Sequence, residues 1–405
     1  MTQIQIERLG HQGDGIAAGP IFVPLTLPGE TVSGTLDGTK LTDVRIDTPS
    51  EDRVRPPCRH YKSCGGCQLQ HASDAFVADW KVGIVRYALA AQGLEADFKP
   101  VATSPEKSRR RAVLSARRTK KGALVGFHKR ASDIVIEVPD CTLLHPDLMP
   151  AIEAAKALAE VGASRKGEIS ITATLCNNGL DLAVTGGKPL DGPFLSVLAQ
   201  LVEHWGLARL AWNGEIVAAR LPATQTFGKA QVIPPPGAFL QATHAGEQAL
   251  LTAVKDAIGG QGKLGLDLFA GCGTFTLPLA EHAQMHAVES EAAMLEALNG
   301  GWRHAQGLKG VTTEARDLFR NPIIPEDLKY DFAVIDPPRA GAEAQVAELA
   351  KSDIPVLAFV SCNPVTFARD AAHLVKSGYK LDWVQVVDQF RWSSHVELAA
   401  RFSAV

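Results

Sequence analysis

The sequence predicts an α/β fold, in which a Rossmann-like domain with a seven-stranded sheet follows a small N-terminal β-barrel and a central α+β domain. Three observations predict this fold. Residues 264–280, LGLDLFAGCGTFTLPLA, have the pattern of an apolar strand, a glycine turn and an apolar helix, which is the first unit of a doubly wound sheet. Strand and helix patterns then alternate to the C-terminus. Residues 1 to about 55 show short strands separated by Gly and Pro, without a helical period.

The usual domain size of about 100–200 residues allows two or three domains in 405 residues, and we divide the chain into three. Residues 1–56 form a barrel of the oligonucleotide-binding kind, which serves either to hold RNA or as a purely structural unit. Residues 57–235 form the central domain, with helices predicted near residues 73–94, 146–161 and 192–205. Prolines 234–236 make a stiff linker into the domain of residues 236–405.

The composition is that of a globular protein with an ample core, at 46% apolar and 21% charged residues. No run of about 18 apolar residues is present, so we expect no membrane helix. The N-terminal segment MTQIQIERLG lacks the basic and then apolar layout of a signal peptide. We therefore expect a cytoplasmic protein that has no membrane partner, and we treat it as a monomer by default.

A basic segment from Lys107 to Arg130 contrasts with the net charge of −3, and no acidic residue interrupts it. Its cations lie on two candidate strands around a Lys-Lys-Gly turn. Such a run forms either a solvated face or a contact surface for phosphates, and the strand placement favours phosphates. The candidate RNA-binding residues are Arg109, Arg110, Arg111, Arg117, Arg118, Lys120, Lys121 and Arg130.

Four of the seven cysteines suggest a metal site. Cys58, Cys64 and Cys67 follow a C-x5-C-x2-C pattern in a glycine-containing loop, and Cys141 lies far along the chain. Soft thiolates select zinc or an iron–sulfur cluster, and four thiolates suit either. Four buried free cysteines are the alternative. Cys176, in the middle of a strand pattern, is most simply a core residue.

The glycine turn is a candidate nucleotide site. Gly271 and Gly273 allow the backbone to approach a ligand, and the N–H groups of the following helix are free to bind it. Glu289 follows the next strand, where a carboxylate can accept a hydrogen bond from a ribose. The GxG pattern does not continue as GxGxxG, which disfavours a dinucleotide. S-adenosylmethionine and other nucleotides stay open at this point.

Two further motifs follow predicted strands, where open α/β sheets place their ligands. In Asp336-Pro337-Pro338-Arg339, the prolines form a rigid turn that presents Asp336 to a ligand. This motif also occurs in amino-group methyltransferases, and a structural turn is the plain alternative.

The second motif is Ser361-Cys362-Asn363-Pro364, and its cysteine is a candidate nucleophile. Methylation at nitrogen needs no thiol, whereas C5 of a pyrimidine becomes nucleophilic only after a thiolate adds at C6. A base must then remove the C5 proton, and Glu397 of His395-Val396-Glu397 is the strongest candidate. Alternation along the predicted last strand places His395 and Glu397 on one face.

Together, DLFAGCGTF, DPPRAG, SCNP and HVE, preceded by GAFLQAT and the cysteine cluster, closely resemble the RNA uracil-5-methyltransferases of the RumA and TrmA type. The resemblance spans nearly the whole chain and implies a Rossmann-like methyltransferase domain that uses S-adenosylmethionine. The cysteine cluster and the N-terminal barrel, which is TRAM-like, are similar to the ribosomal-RNA branch, because the transfer-RNA branch typically lacks both.

The resemblance also implies roles for single residues. Cys362 is the nucleophile at C6 of uracil and Glu397 the base at C5. The pocket for S-adenosylmethionine and uracil is lined by Gln241, Phe269, Thr274, Glu289, Asp317 and Asp336, beside Gly271 and Gly273. A 4Fe–4S cluster is held by Cys58, Cys64, Cys67 and Cys141.

Three positions depart from the family pattern. The family usually has Asn where Thr274 and Thr243 stand, and often Asn where Asp317 stands. A hydroxyl keeps some hydrogen bonding but has a shorter reach than an amide, so cofactor contact by Thr274 is the less secure assignment.

From these patterns we expect an enzyme that transfers a methyl group from S-adenosylmethionine to C5 of a uridine in 23S ribosomal RNA. Transfer RNA is the alternative substrate. An N-methyltransferase that uses DPPR, and a non-catalytic RNA-binding or iron–sulfur sensor protein, are the alternatives from other classes.

Overall fold

A computed structural model describes residues 2–260 and 262–405. In these ranges, the chain forms a closed barrel, a seven-stranded sheet, a two-stranded ribbon and an eight-stranded sheet. The predicted α/β fold, with its barrel and its central α+β region, is confirmed. No helix in these two ranges combines the length and the apolar character that a membrane span requires.

The barrel consists of five strands in the order β1-β2-β3-β5-β4, and β1 closes it by pairing with β4. The apolar side chains of Ile6, Val23, Val32 and Leu41 fill its interior. Its strands are β1 Thr2–Leu9, β2 Gly15–Ala17, β3 Ile21–Val23, β4 Thr31–Asp37 and β5 Lys40–Thr48.

The central region begins with a helix whose N-terminus the sequence identifies correctly, since the Ser73 hydroxyl accepts from Phe76 N–H at 3.2 Å. Its larger sheet has the order β13-β12-β11-β10-β7-β8-β9, and β14 pairs with β15. A short 3₁₀ helix, Pro146–Leu148, precedes the second helix. The elements are α1 Asp74–Ala90, β6 Phe98–Thr103, β7 Arg111–Arg118, β8 Ala123–His128, β9 Val135–Ile136, α2 Pro150–Gly162, β10 Glu168–Cys176, β11 Gly179–Thr185, α3 Gly192–His204, β12 Arg209–Trp212, β13 Glu215–Ala219, β14 Gln225–Phe227 and β15 Ala230–Val232.

The C-terminal region contains the seven strands that the sequence predicts. Their order is β18-β17-β16-β19-β20-β22-β21, and a 3₁₀ helix, Pro325–Asp327, precedes β19. The elements are α4 His244–Ile258, β16 Leu264–Leu268, α5 Thr276–Leu279, β17 Gln284–Glu289, α6 Ala292–His304, β18 Val311–Ala315, β19 Phe332–Ile335, α7 Glu343–Leu349, β20 Val356–Ser361, α8 Pro364–Lys376, β21 Tyr379–Asp388 and β22 Leu398–Ala404.

Two elements of the central region belong to the C-terminal sheet. Strand β6 runs parallel to β21 as an eighth strand, with Phe98 opposite Val384. Helix α1 buries Val85 and Leu89 in the core that covers one face of this sheet. The division at residues 56 and 235 therefore stays an interpretation of the sequence, because residues 74–103 pack on the third part of the chain.

The last strand differs from the prediction in where it begins. Strand β22 starts at Leu398, so His395 and Glu397 precede it instead of alternating along it. The two side chains differ in burial, because Glu397 is 3% exposed whereas His395 is exposed, and both line the cleft described below. The backbone turns at Trp392, which has a φ of 60°, and this irregular segment replaces the strand geometry on which the prediction depends.

Candidate active site

The site residues follow the ends of adjacent strands at one edge of the eight-stranded sheet. Strands β18, β17, β16, β19 and β20 are parallel, so their carboxyl ends meet at this edge, where α/β sheets bind ligands. Strand β22 is antiparallel and begins there, with Leu398 opposite Ser361. This register brings together Cys362, which follows β20, and Glu397, which precedes β22.

A cleft of about 530 Å³ opens at this edge. Its volume suits a nucleoside-sized ligand, because such pockets usually measure about 300–1,000 Å³. Gly273 supports the glycine turn from beneath, since a Cβ there would lie 2.9 Å from the Leu298 side chain. The predicted site residues that line the cleft are Gln241, Phe269, Gly271, Thr274, Glu289, Asp317, Asp336, Cys362 and Glu397.

The turn after β16 is held in a conformation that favours glycine. Gly271 and Gly273 have φ values of 55° and 92°. The Glu289 carboxylate accepts from Gly271 N–H at 3.1 Å, while its other oxygen accepts from Ser290 N–H at 2.6 Å. Oε1 also accepts from the Ser290 hydroxyl and from Glu291 N–H, whereas, among the described residues, Oε2 accepts only from Gly271 N–H. Oε2 therefore keeps one acceptor position for a ribose hydroxyl.

Asn363 fixes the position of Cys362. Its side-chain oxygen accepts from Val365 N–H at 3.1 Å and caps the N-terminus of α8. Its amide nitrogen donates to the Arg339 carbonyl at 2.9 Å, which joins the SCNP segment to the DPPR turn. Cys362 directly precedes Asn363, so these two hydrogen bonds of the Asn363 side chain hold it at the cleft.

Burial and neighbouring carboxylates disfavour negative charge in the cleft. Burial, and then the nearby Asp336, raise the pKa of Glu397. Burial, followed by the charges of Glu397 and Asp336, raises the pKa of the Cys362 thiol to about 11. Burial and the neighbouring Asp267 likewise raise the pKa of Asp336. A ligand that carries positive charge would relieve this repulsion and favour the ionised forms.

A second cavity, of about 340 Å³, contains the four clustered cysteines. Burial raises the pKa of the Cys67 thiol to about 12. A hydrogen bond with the Gln70 side chain opposes this rise, and the charges of the other three clustered cysteines add to it. No group of three or more His, Cys, Asp or Glu side chains is arranged to hold a metal ion in residues 2–260 and 262–405. Cys58, Cys64, Cys67 and Cys141 thus share one cavity without forming a preformed site for a single ion.

The two cavities are neighbours. His395 lines both of them, and its Nδ1 accepts from the Arg339 guanidinium at 2.8 Å. The Trp392 carbonyl accepts from Gln68 N–H at 2.7 Å and from Leu69 N–H at 2.9 Å. The segment that carries Glu397 is therefore attached directly to the loop that carries Cys67.

Three cations of the predicted RNA-binding set lie in the interior or beside the cleft instead of on an open face. Arg110 is 8% exposed, pairs with Glu247 and donates to the Gln241 carbonyl at 3.2 Å, so it cannot reach a phosphate. Arg111 donates to the Gly237 carbonyl at 3.1 Å, and Arg109 stacks 5.6 Å from the centre of the Phe390 ring. The expectation of RNA contact is thus wrong for Arg110, whose charge serves to position the segment around Gln241.

The other predicted cations are closer to the surface. Arg117 pairs with Glu168 at 2.7 Å, and Arg130 pairs with Asp14 of the barrel at 2.6 Å. The cations at the tip of the β7–β8 hairpin are exposed, and no ion pair joins them to another described side chain. These are Arg118, Lys120 and Lys121.

Several residues in the cleft or packed behind it were not predicted. Gln389 is buried and lies against both Gln241 and Glu397. Arg339 belongs to the DPPR motif, and it lines the cleft together with Cys362. Phe239 is 61% exposed at the rim, and its place two residues before Gln241 was the available signal for it.

A family model described as tRNA (Uracil-5-)-methyltransferase matches residues 304–403. An uncharacterized RNA methyltransferase of Brucella suis is 42% identical over 402 residues, which cover 98% of this chain and 97% of the relative. The 23S rRNA (uracil(1939)-C(5))-methyltransferase of Halomonas elongata is 33% identical over 98% of this chain and 88% of its own length.

Among solved structures, the chain is similar to the tRNA (uracil-54, C5)-methyltransferase of Pyrococcus abyssi in complex with S-adenosyl-L-homocysteine. The TM-score is 0.76 at 21% identity, and the match covers 99% of both chains. At this identity the match supports the fold, which extends over the barrel, the central region and the C-terminal sheet together.

Proposed function

The chain belongs to the family of S-adenosylmethionine-dependent RNA uracil-5-methyltransferases, and on this premise we propose that it methylates C5 of a uridine in 23S ribosomal RNA. The observation that carries the proposal is the juxtaposition of Cys362 and Glu397 in one cleft with the glycine turn. A nucleophilic thiol, a buried carboxyl and a nucleotide-sized space are the groups that C5 methylation requires.

In the proposed reaction, the Cys362 thiolate forms a bond from Sγ to C6 of the flipped uracil. The electrons of the C5–C6 double bond move toward O4, and C5 becomes nucleophilic. Bound S-adenosylmethionine supplies the methyl group and a positive charge. C5 takes that methyl group as the bond from the methyl carbon to the sulfonium sulfur breaks, which leaves neutral S-adenosylhomocysteine. C6 is then still bonded to Cys362, and C5 carries both the methyl group and its original proton.

Glu397 then completes the proposed reaction as a base. It removes the C5 proton, the C5–C6 double bond forms again, and the bond from C6 to Cys362 breaks. Because burial and Asp336 raise the pKa of Glu397, its affinity for a proton exceeds that of an ordinary carboxylate at neutral pH. A base of this strength suits removal of a carbon-bound proton.

The residues of the cleft fit S-adenosylmethionine. Glu289 and Asp317 line the side of the glycine turn, where a ribose and an adenine need acceptors. The rings of Phe269 and Phe319, whose centres are 5.6 Å apart, supply an apolar wall. The acidic surroundings of Asp336 favour a ligand with a sulfonium charge. We assign Gln241, Thr274 and the two turn glycines to the same pocket.

Ribosomal RNA is favoured as the substrate by the Halomonas relative, which aligns with 98% of this chain and acts on 23S rRNA by name. The cysteine quartet favours the same branch, whereas the barrel does not distinguish the two branches, because the match with the Pyrococcus enzyme extends over it. Transfer RNA is the second candidate, since the Pyrococcus enzyme named for it shares the whole fold. We place the exposed cations Arg118, Lys120 and Lys121 against the RNA backbone, where they would reach phosphates. We also propose that the reaction takes place in the cytoplasm.

We also propose that Cys58, Cys64, Cys67 and Cys141 hold a 4Fe–4S cluster. The four thiols line one cavity, and the thiolates of such a cluster bind separate irons instead of converging on one ion. This arrangement is compatible with the lack of a single-ion site in the described part of the chain. The resemblance to the ribosomal-RNA branch favours the cluster over zinc, which four thiolates would also suit.

The test is methyl transfer from labelled S-adenosylmethionine to protein-free ribosomal and transfer RNA, followed by nucleoside analysis. We expect labelled 5-methyluridine in 23S ribosomal RNA. Label only in transfer RNA would keep the chemistry and replace the substrate. Label on a nitrogen would favour the amino-group reaction of the DPPR motif, and no label in either RNA would contradict the proposed function.

A further inference from the structure

The side-chain amide of Gln389 uses all of its hydrogen-bonding hydrogens and its oxygen inside the protein. Its Oε1 accepts from Ala242 N–H at 2.7 Å. Its Nε2 donates to Gln241 Oε1 at 2.5 Å and to Glu397 Oε2 at 3.2 Å. The residue is 1% exposed, so no water replaces these partners.

The orientation of this amide follows from chemistry. The backbone N–H of Ala242 can only donate, so the Gln389 atom that faces it must be the oxygen. The nitrogen then faces Gln241 and Glu397. The side chain is also held by close packing, because a Cβ at Gly246 would lie 2.5 Å from the Gln389 Cβ. Gln389 therefore presents two donors at fixed positions.

The first donor determines the orientation of Gln241. Since Gln389 donates to Gln241 Oε1, the Nε2 group of Gln241 is left on the other side, and Gln241 lines the cleft. No other described side chain or backbone carbonyl accepts a hydrogen bond from this Nε2 group. Gln241 thus presents a hydrogen-bond donor, its Nε2 group, to the cleft. The O4 atom of uracil accepts from such a donor, whereas the N4 amino group of cytosine cannot.

The second donor acts on Glu397. A hydrogen bond from Nε2 favours the ionised carboxylate and opposes the effect of burial on its pKa. The other charged or titratable groups that face Glu397 are Asp336, which raises its pKa, Arg339, which lowers it, and the thiol of Cys362. Without Gln389, only Arg339 would oppose the rise in the pKa of Glu397 that burial and Asp336 cause.

We propose that Gln389 is a positioning and specificity residue, which orients Gln241 to select uracil over cytosine and holds Glu397 in place as the base. The inference rests on the proposed function, because it takes uracil as the target and Glu397 as the group that removes the C5 proton. It links the choice of base and the proton-removal step through one amide.

The test uses two variants and a matched control. Gln389→Met keeps the length and removes both donors. Gln389→Glu replaces the amide donor by a carboxyl group. At a pH above the rising limb of its activity, where this group is ionised, it supplies acceptors only, so Gln241 must rotate its amide to donate, and its oxygen then faces the cleft. The control is Gln345→Met. Gln345 is also fully buried, its side chain forms two hydrogen bonds with the backbone N–H and carbonyl of Ile323, and it lies away from the cleft.

The first readout is tritium release from 23S ribosomal RNA that carries 5-tritiated uridine, measured against pH. We expect the midpoint of the rising limb to move up by about one pH unit in Gln389→Met, since hydrogen bonds to charged groups shift a pKa by about this amount. The Gln345→Met control should lose thermal stability and keep the wild-type midpoint. An unchanged midpoint in Gln389→Met would overturn the role in positioning Glu397.

The second readout is base selectivity, measured as competition between transcripts that carry uridine or cytidine at the mapped target position. We expect Gln389→Glu to reduce the preference for uridine about 10-fold or more. A wild-type preference in this variant would overturn the role in specificity. If Cys362→Ala and Glu397→Gln still release tritium at the wild-type rate, the proposed function fails instead, which distinguishes the two failures.

Discussion

The cleft and the cysteine cavity are adjacent, yet the fold builds them in different ways. The cleft is made from the ends of neighbouring strands, so hydrogen-bonded registers fix Cys362 and Glu397 before any ligand binds. The four cysteines of the second cavity come from a loop and from a distant residue, Cys141, and the described residues of the cavity form no preformed ion site. Burial disfavours thiolates in both places, with pKa values of about 11 for Cys362 and about 12 for Cys67.

This difference indicates what each place needs from a ligand. The geometry of the cleft is already fixed, but a positively charged ligand is needed to favour the ionised forms of its acidic groups. The cavity needs a metal to replace the thiol protons and also to complete its geometry, because metal ligation requires thiolates. We therefore expect substitutions in the cleft to affect chemistry and substitutions in the cavity to affect loading and stability.

The largest effect is expected from Cys362→Ala, which removes the proposed nucleophile. Turnover should fall by about 10³-fold or more, because no other group replaces a covalent step. The thermal midpoint should stay within about 3 °C of wild type, since the side chain is only partly buried. Cys176→Ala, at a buried cysteine outside both cavities, should keep full turnover. Full activity in Cys362→Ala would contradict the expectation that substitutions in the cleft affect the chemistry.

Glu397→Gln is expected to slow turnover by about 10² to 10⁴-fold, the usual contribution of a general base. The thiol and the methyl transfer are left intact, so the RNA should stay bonded to Cys362. The measurement is a protein–RNA band that survives a denaturing gel and is absent when Cys362→Ala is combined with Glu397→Gln. Free methylated RNA without such a band would assign proton removal to another group.

The substitutions Cys64→Ser and Cys141→Ser address the cavity. Iron content should fall close to zero and thermal stability should decrease, while the affinity for S-adenosylmethionine should change by less than about threefold, because the sheet edge is unaltered. Cys176→Ser should keep its iron. A parallel loss of iron and of S-adenosylmethionine affinity would show that the cleft depends on the cavity, and would break the comparison.

The smallest effect concerns Asp267, on the strand beneath the glycine turn. Burial raises its pKa to about 7, and one of its oxygens has no hydrogen-bond partner. The unfolded chain ionises this group near its ordinary pKa of about 4, so the folded state loses stability between about pH 4 and 7. Asp267→Asn should therefore gain stability over wild type in that interval, reaching a few kcal/mol, and the gain should be constant above pH 7. Denaturant unfolding at pH 4, 6 and 8 measures it, and a pH-independent difference would contradict it.

Much of the cleft could be predicted from the sequence because each motif directly follows an apolar strand. Asp336 and Cys362 both stand at strand ends, and the carboxyl ends of parallel strands meet at one edge whatever their order. The cap of α1 at Ser73 was predictable for a similar reason, since it depends on local chemistry alone.

The remainder depends on contacts that no local pattern encodes. Arg110 has the composition of a surface cation, but its partner Glu247 lies in the following domain. Gln389 follows a strand without any motif of its own, and only the tertiary contact with Gln241 and Glu397 gives it a role. The segment before β22 was predicted as a strand because alternation cannot reveal the turn at Trp392.

Strand β6 has a consequence for the order in which the protein is assembled. Its Phe98 pairs with Val384, so the strand leaves the ribosome long before its only neighbour in the sheet is made. At about 5–20 residues per second, that interval is on the order of 15–60 s. During this time an apolar helix, α1, and an unpaired strand are open to association with other chains. We therefore expect the N-terminal third of the protein to aggregate less when it is protected during synthesis, and residues 236–405 expressed alone to present β21 as an open edge.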